Sequence, residues 1–248
     1  MADWRVEQLR LTAFPLKDFR DPDPNWWGKV VGSSPEIKTI QTGVGIREAG
    51  PIKNGYSNLV LDVQATRIDW LFAAAMKSGE PIKGFPTFDT VGGAYGACEA
   101  LLRNWIKETT PLKRMALGTV LVLPVENRQA GYEVLMKLLP AVKLDPKGSS
   151  DFTYSINRPR SSANIRDLKI NRLSRWAVAQ LKGIQIQAAI PGEISVVEGP
   201  GDWSAVRVEL DVNSAAERVE ALPAEQQGAL FQELLKLSEE IAIKGEIP

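Results

Sequence analysis

The sequence predicts an α+β fold, with a largely antiparallel, curved sheet covered on one face by helices. Two observations lead to this prediction. Strand-like segments outnumber helix-like segments, and short turns join neighbouring strands, so the strict strand-helix alternation of a doubly wound parallel sheet is missing. The 248 residues are read as a single domain, 1–248, and the alternative is a division into two similar half-domains, 1–90 and 91–248.

The first half of the chain is predicted to be mainly extended. Apolar and β-branched residues indicate three extended segments, at residues 4–11, 36–48 and 56–69. Asp23 followed by Pro24 is typical of a helix start, and this short helix should end near Gly32. Asn54-Gly55 indicates a hairpin turn between two of the extended segments. Residues 79–96 are rich in Gly and Pro and should form a loop.

The second half of the chain mixes helices with strands. Apolar residues at helical spacing indicate helices at residues 95–109, 127–139 and 223–243. Strand patterns cover residues 112–125, 151–157, 168–187 and 205–212. The nearly continuous apolar run in the first of these strands is typical of a central position in a sheet. The third fits either one long strand or a pair.

The composition excludes several classes of enzyme. The sequence has no His and a single Cys, Cys98. Hydrolases with a catalytic His are therefore excluded, as are metal sites built from His and Cys and any intrachain disulfide. Cys98 lies on the apolar side of its helix and should be buried. We predict no catalytic residue, no metal ligand and no cofactor.

The sequence also predicts where the protein resides. The N-terminal residues lack the basic start and apolar stretch of a signal peptide. The longest nearly apolar run, residues 115–125, is about half as long as a membrane span. These features predict a cytoplasmic protein that makes no contact with a membrane.

The net charge of zero hides an uneven distribution along the chain. Residues 1–136 carry 16 basic and 15 acidic side chains, residues 137–192 carry 10 and 3, and residues 193–248 carry 4 and 12. Two interpretations follow from this distribution. Either the basic middle segment binds something anionic, or it lies beside the acidic C-terminal segment and the charges compensate each other.

A candidate face for an anionic ligand lies in this basic segment. Its members are bases of an Arg-Pro-Arg loop and of the predicted strand that follows: Arg158, Arg160, Arg166, Lys169, Arg172 and Arg175. Such a row could follow a phosphate backbone while the rings of Tyr154 and Trp176 stack on bases. The zero net charge of the whole chain argues against a strong nonspecific nucleic-acid binder.

Two further patterns have a simpler structural interpretation. Asp23, followed by Glu36 and Lys38, matches the acid, acid-x-lysine arrangement of metal-dependent nucleases, but Asp23 is better explained as a helix cap. Residues 45–50 lack the Lys of a phosphate-binding loop, and the glycines of residues 92–96 fit a flexible helix start. We take neither pattern as a site.

Seven Trp residues are many for a chain of this length. Four of them fall within predicted elements and should be core residues: Trp4, Trp70, Trp105 and Trp176. The other three, Trp26, Trp27 and Trp203, flank predicted turns, where half-exposed rings often anchor protein contacts. These three are the candidate partner contacts, and the alternative is that they too pack in the interior.

Part of the chain resembles a sporadically distributed bacterial protein family of about this size. The resemblance rests on four segments, Leu112-Lys113-Arg114-Met115-Ala116-Leu117-Gly118, Leu138-Leu139-Pro140, Asn171-Arg172-Leu173-Ser174-Arg175-Trp176 and the alternating strand at residues 206–212. It covers residues 95–243 well and residues 1–94 loosely. The resemblance implies a bacterial or phage-borne protein, encoded in some genomes beside defence or toxin genes. It supplies no reaction and no catalytic residues.

These observations lead to three functional hypotheses. The first is a non-enzymatic, protein-binding component of a bacterial or phage defence or toxin-neutralising system, whose partner could be encoded by a neighbouring gene. The second is a nucleic-acid-binding module that uses the basic segment at residues 158–182. The third is hydrolysis by a metal held on carboxylates, which would use Asp23 and Glu36.

Overall fold

A computed structural model of the chain describes most of its backbone. The described residues are 3–19, 25–41, 45–52, 57–75, 83–190, 193–218 and 220–246. Side chains are described for all of these except residues 183–200. None of the described helices is long and apolar enough to cross a lipid bilayer.

Strands outnumber helices in the described residues. The strands are β1 (Arg5–Pro15), β2 (Ile37–Gln41), β3 (Gly45–Pro51), β4 (Ser57–Gln64), β5 (Arg67–Ala74), β6 (Asp89–Thr90), β7 (Leu112–Val125), β8 (Thr153–Asn157), β9 (Arg160–Ser161), β10 (Lys169–Ile190) and β11 (Glu193–Ser214). The helices are α1 (Trp26–Val31), α2 (Val91–Glu108), α3 (Arg128–Leu138) and α4 (Ala224–Lys244).

All of these strands belong to one antiparallel sheet. The strand order is β2-β3-β4-β5-β1-β7-β11-β10-β8, with β6 beside β1 and β9 beside β10. β1 lies in the middle and pairs with β5 on one side and with β7 on the other. The predicted α+β class, with a largely antiparallel sheet and helices, is confirmed.

Strand alternation sends one face of the sheet into the core. On β11, Val206, Val208 and Leu210 are buried, whereas the intervening Arg207 and Glu209 are partly exposed. α2 and α4 contact each other, α4 packs on β7 and β11, and α3 packs on β10 and β11. We call the face that carries Arg207 and Glu209 the open face.

Several elements match their sequence patterns closely. β7 has the predicted bounds and lies centrally, between β1 and β11. The side chain of Asn127 caps α3 by accepting a hydrogen bond from the backbone N–H of Ala130 at 3.0 Å. The apolar stripe of α4 is buried as its spacing predicts, with Leu230, Leu234 and Ile241 each less than 5% exposed.

Other predicted elements are wrong in extent. Residues 36–48 contain two paired strands, β2 and β3, and residues 56–69 include the turn between β4 and β5 at Ala65-Thr66. α2 begins at Val91 because the hydroxyl of Thr90 accepts a hydrogen bond from the backbone N–H of Gly93. The helix therefore starts four residues before the predicted residue 95, and the glycines of residues 92–96 lie in its first turns, as expected for a helix start.

Two predicted local signals lie outside the described residues. These are the cap and proline at Asp23 and Pro24, and the turn at Asn54-Gly55. The strands on either side of the turn do pair, with Pro51 opposite Asn58. α1 begins after Asn25, whose side chain makes no capping hydrogen bond to the helix.

Candidate functional site

The two longest strands of the sheet form a hairpin that extends past its neighbours. β10 and β11 are 22 residues long each and pair over nearly their whole length. β8 stops pairing with β10 at Ala177, and β7 stops pairing with β11 at Ser204. Beyond these points, no other described strand flanks the hairpin. We call residues 183–190 and 193–200 the arm, and eight residues per strand give it a length of about 26 Å.

A bulge separates the arm from the rest of the sheet. The pair Lys182–Asp202 is followed by the pair Ile184–Glu198, so three residues of β11 oppose one residue of β10. Extra residues on one strand bend a strand pair and increase its twist. The bulge therefore sets the direction in which the arm leaves the sheet.

Trp203 lies at the base of the arm. Gly201, within the bulge, has a φ of 123°, a conformation that L side chains rarely adopt. A Cβ at this position would lie 2.4 Å from the ring of Trp203. The half-buried ring thus fills the space beside Gly201, and only glycine fits there. Gly84 approaches the same ring from the segment before β6.

The other open edges of the sheet have features that oppose pairing with a foreign strand. Shortness, charge and proline are the usual ones. The edge strands β2 and β8 have five residues each, and β2 carries Lys38. The β11 edge of the arm carries Glu193, Glu198 and Pro200. The β10 edge of the arm, residues 183–190, has no charge and no proline.

The β10 side of the arm also has the composition of a strand that pairs readily. Residues 184–190 read Ile-Gln-Ile-Gln-Ala-Ala-Ile, which is uncharged and free of proline. In the register of the hairpin, Ile186 lies opposite Val196 and Ala188 lies opposite Ile194. Apolar positions of the two strands therefore coincide on one face. A hairpin of two strands is marginally stable by itself.

The basic segment lies against the acidic C-terminal helix. Arg158 donates to Glu246, with Nε 2.9 Å from Oε1, and Arg160 pairs with Glu240 at 3.2 Å. The hydroxyl of Tyr154 donates to the other oxygen of Glu246 at 2.8 Å. The positive charges of these two arginines are therefore compensated by the acidic C-terminal segment, as one of the two interpretations of the charge distribution expected.

A second acidic residue of α4 holds the loop between β9 and β10. Glu233 accepts hydrogen bonds from the hydroxyl of Ser162 at 2.7 Å, from the backbone N–H of Ala163 at 2.7 Å and from the amide of Asn164 at 2.9 Å. Two carboxylates of α4, Glu233 and Glu240, and that of Glu246 just after the helix thus meet the segment before β10. This explains why one segment is basic or polar and the other acidic.

These ion pairs shift the pKa values of both carboxylates. Burial raises the pKa of Glu246, but hydrogen bonds from Arg158 and Tyr154 outweigh it, and the net pKa lies below the ordinary value. Burial likewise raises the pKa of Glu240, and the hydrogen bond from Lys244 and the charge of Arg160 lower it by more. Both residues are therefore held as carboxylates.

The expectation that six bases form one face is wrong. Arg172 lies on the helix-covered side of β10 and is only 3% exposed, whereas Lys169 and Arg175 are exposed at positions of the opposite parity. Arg166 lies in the loop between β9 and β10, with its side chain 95% exposed and 3.5 Å from that of Asp167. The six basic side chains thus lie on at least two different sides of the molecule.

Two of the three candidate partner-contact Trp residues are also placed differently from expectation. Trp27 is 1% exposed and Trp26 is 8% exposed, so neither can contact a partner. Trp26 packs edge-on against Trp105, which packs edge-on against Trp70. The short helix α1 therefore brings its two rings into the core. Only Trp203 of the three keeps part of its ring accessible.

The described residues contain no cluster suited to acid–base or metal chemistry. No group of three or more His, Cys, Asp or Glu side chains in the described part of the chain could hold a metal ion. Lys38 of the nuclease-like pattern pairs with Glu48 of β3 at 3.1 Å. Cys98 is fully buried, and burial raises the pKa of its thiol above the ordinary value.

Comparisons with known proteins add no relative. A scan against protein-family models gives no match, and a search of curated proteins finds no similar chain.

The sequence analysis did not identify the arm, although the sequence contains a signal for a hairpin there. The alternation at residues 184–188, the strand-like residues 193–197 and the Pro191-Gly192 dipeptide between them are typical of a hairpin.

Proposed function

We propose that this chain is a non-enzymatic, protein-binding component that acts in the bacterial cytoplasm, and that the arm is its contact element. A segment of another protein adds as a strand along the β10 edge of the arm. The observation that supports this most strongly is the contrast between edges, because the β10 side of the arm lacks the charges, prolines and shortness of the others. The defence-system context rests on the family resemblance.

Strand addition fits an arm that has an unpaired backbone edge and only two strands. Main-chain hydrogen bonds along a free edge supply affinity, and side chains at alternate positions supply specificity. An uncharged, isoleucine-rich edge left uncovered would be a site of aggregation. A partner strand would satisfy the backbone groups of the edge and widen the two-stranded hairpin to three strands, which is the minimum for independent stability.

The charge of the arm favours a protein over a nucleic acid. Residues 183–200 contain no Lys or Arg and two Glu. Phosphate backbones are bound through basic side chains, and acidic groups repel them. The partner segment should therefore be an extended, apolar polypeptide, and a basic residue near Glu193 or Glu198 would add to its affinity.

A photo-crosslinking amino acid placed in the arm tests this proposal in the bacterial host. Incorporation at Gln187 should give a discrete covalent adduct that mass spectrometry can identify. The matched control is incorporation at Arg166, which is exposed but outside the arm, and it should give no such adduct. An adduct with the mass of two chains would show that the arm joins copies of this protein and would overturn the proposal of a different partner.

Purified components then test the mode of binding. Lysine at position 186 places a charge on the β10 edge, and Ile186→Lys should weaken binding of the identified partner by about tenfold or more. Ser195→Lys places the same charge on the β11 strand of the arm, and binding should stay within about threefold of the original. Equal affinity of Ile186→Lys and the unaltered chain would contradict strand addition at this edge.

Nucleic-acid binding through residues 158–182 is a weaker proposal. The bases of this segment do not form the continuous exposed row that a phosphate backbone needs, because Arg172 is buried and Lys169 and Arg175 lie on the opposite face of β10. The open face near Arg175 carries both signs of charge, since Arg207 pairs there with Glu7 at 3.0 Å. Salt-dependent retention of labelled DNA or RNA that is lost on Arg175→Glu would favour this function over the first.

A further inference from the structure

Arg172 is a buried cation with an unsatisfied donor. Its side chain lies on the helix-covered face of β10 and is 3% exposed, and its Nε–H has no hydrogen-bond partner. Buried polar groups are almost always paired, and an unpaired buried charge is strongly destabilising. No acceptor among the described residues satisfies this Nε–H.

The carboxylate of Glu240, whose charge acts on Arg172, and that of Glu246 already accept hydrogen bonds from other donors. One oxygen of Glu240 accepts from Arg160 and the other from Lys244. One oxygen of Glu246 accepts from Arg158 and the other from Tyr154. Neither carboxylate accepts a hydrogen bond from the Nε–H of Arg172.

Two further arginines surround Arg172. Burial and the positive charges of Arg160 and Arg158 lower the pKa of Arg172, and the negative charge of Glu240 offsets only part of this. The backbone N–H of Arg158 donates to the carbonyl of Arg172 at 3.2 Å. Arg160 lies opposite Ile170, which is two residues before Arg172 on β10 and therefore on the same face. The three guanidinium groups thus belong to neighbouring positions on one side of the sheet, facing the C-terminal half of α4.

We propose that Arg158, Arg160 and Arg172 form a binding site for one phosphate group, either free phosphate or a phosphate ester. The planar guanidinium presents donors in a fork that matches tetrahedral oxyanions. Arg158 and Arg160 are 36% and 41% exposed, so they can reach an anion from solvent while Arg172 donates from beneath. The three arginines and Lys244 carry four positive charges against two negative charges on Glu240 and Glu246, and a doubly charged anion neutralises the two that are left over. This site is separate from the arm and does not depend on the proposed function.

Titration of the full chain with inorganic phosphate tests the site. Isothermal calorimetry and thermal unfolding are measured against potassium chloride at equal ionic strength, and glucose 6-phosphate is the second probe. We expect saturable binding of phosphate with a rise in the unfolding temperature. Binding of both probes indicates an open site that accepts esters, and binding of inorganic phosphate alone indicates a closed site for the free ion. Absence of saturable binding of either probe overturns the proposal.

Matched arginine variants locate the site. Arg172→Gln should weaken phosphate binding by about tenfold or more, whereas Arg175→Gln, three residues away on the open face, should leave it unchanged. If Arg172→Gln fails to fold, Arg160→Gln serves instead, because Arg160 lies at the surface, and it should also weaken binding. Equal phosphate affinity in Arg160→Gln, Arg175→Gln and the unaltered chain would show that the cluster is not the site.

Discussion

Two glycines of this chain differ in whether another residue could replace them. Gly245, at the end of α4, has a φ of 75°, and a Cβ there would lie 2.1 Å from the backbone oxygen of Leu138. Gly96, inside α2, has nothing within 4 Å of a Cβ. The first glycine is therefore required by geometry, and the second only weakens its helix.

Alanine at these two positions should have opposite effects on the free energy of unfolding. Gly245→Ala should lower it by roughly 1–3 kcal/mol because of strain and the backbone clash. Gly96→Ala should raise it by about 0.5–1 kcal/mol, since alanine restricts the unfolded chain and favours helix. Urea unfolding measures both values. Equal stability of the two variants would contradict the geometry of the end of α4.

The carboxylate of Glu246 should make stability depend on acid. Its folded-state pKa lies below the ordinary value of 4.5, so its contribution to stability is complete above that value and disappears as the pH falls through the folded pKa. The difference in unfolding temperature between the unaltered chain and Glu246→Gln should therefore shrink as the pH falls from about 5.5 to about 3, that is, from about one unit above 4.5 to about one and a half units below it. Glu108→Gln, at an exposed position of α2, is the control. A difference that stays constant with pH would contradict the ion pair.

Sequence patterns predicted the basic residues around Arg172 but not their arrangement in space. The basic residues were recognised, but their arrangement was not, because Arg172 and Arg175 are an odd number of positions apart on one strand and must face opposite sides. That rule could have been applied to the sequence. The pairing of Arg158 with Glu246 could not, since 88 positions separate the two residues and only the folded sheet and helix bring them together.

At the level of elements, α2 shows how apolar spacing encodes burial. Cys98, Leu102 and Trp105 are less than 5% exposed along its inner side. Tyr95 is also buried, and its hydroxyl joins Thr119 of β7 at 3.1 Å and Ser238 of α4 at 2.6 Å. Burial raises the pKa of Tyr95 to about 12. This hydrogen-bonded trio connects α2, α4 and the sheet.

The thiol of Cys98 should be unreactive in the folded protein. Its burial is complete, and its raised pKa leaves it in the neutral form. A thiol reagent such as Ellman's reagent should release no colour from the native chain within minutes, and one equivalent per chain in denaturant. Rapid, stoichiometric reaction of the native protein would contradict the packing of α2 against α4.

Elements with strong local signals were predicted well, and those with weak signals were not. β7 and α4 have long apolar patterns that only one structure satisfies. The turn at Ala65-Thr66 contains neither Gly nor Pro, so β4 and β5 looked like one strand. The length of β10 and β11 depends on their pairing with each other, which local patterns indicate poorly.

At the scale of the whole molecule, β1 connects the two halves of the sheet. It pairs with β5 and with β7 along most of its length, and the buried residues of both halves form one hydrophobic cluster. This arrangement favours a single domain over the alternative of two half-domains.

A single domain should unfold in one cooperative step. Circular dichroism follows the whole sheet, whereas tryptophan fluorescence follows all seven Trp residues, among them the fully buried Trp70 in the N-terminal half and Trp176 in the C-terminal half. The two signals should change at the same urea concentration. Two separate transitions would instead support half-domains at 1–90 and 91–248.

The measurement that tests the proposed function most directly is amide hydrogen exchange of the arm, with and without the partner identified by crosslinking. In the free chain, outward-facing amides of residues 184–190 lack a neighbouring strand and should exchange rapidly. In the complex, strand addition should slow them by about tenfold or more, while the amides of residues 193–200 change little. Slowed exchange elsewhere in the chain, with residues 184–190 unaffected, would contradict the proposal.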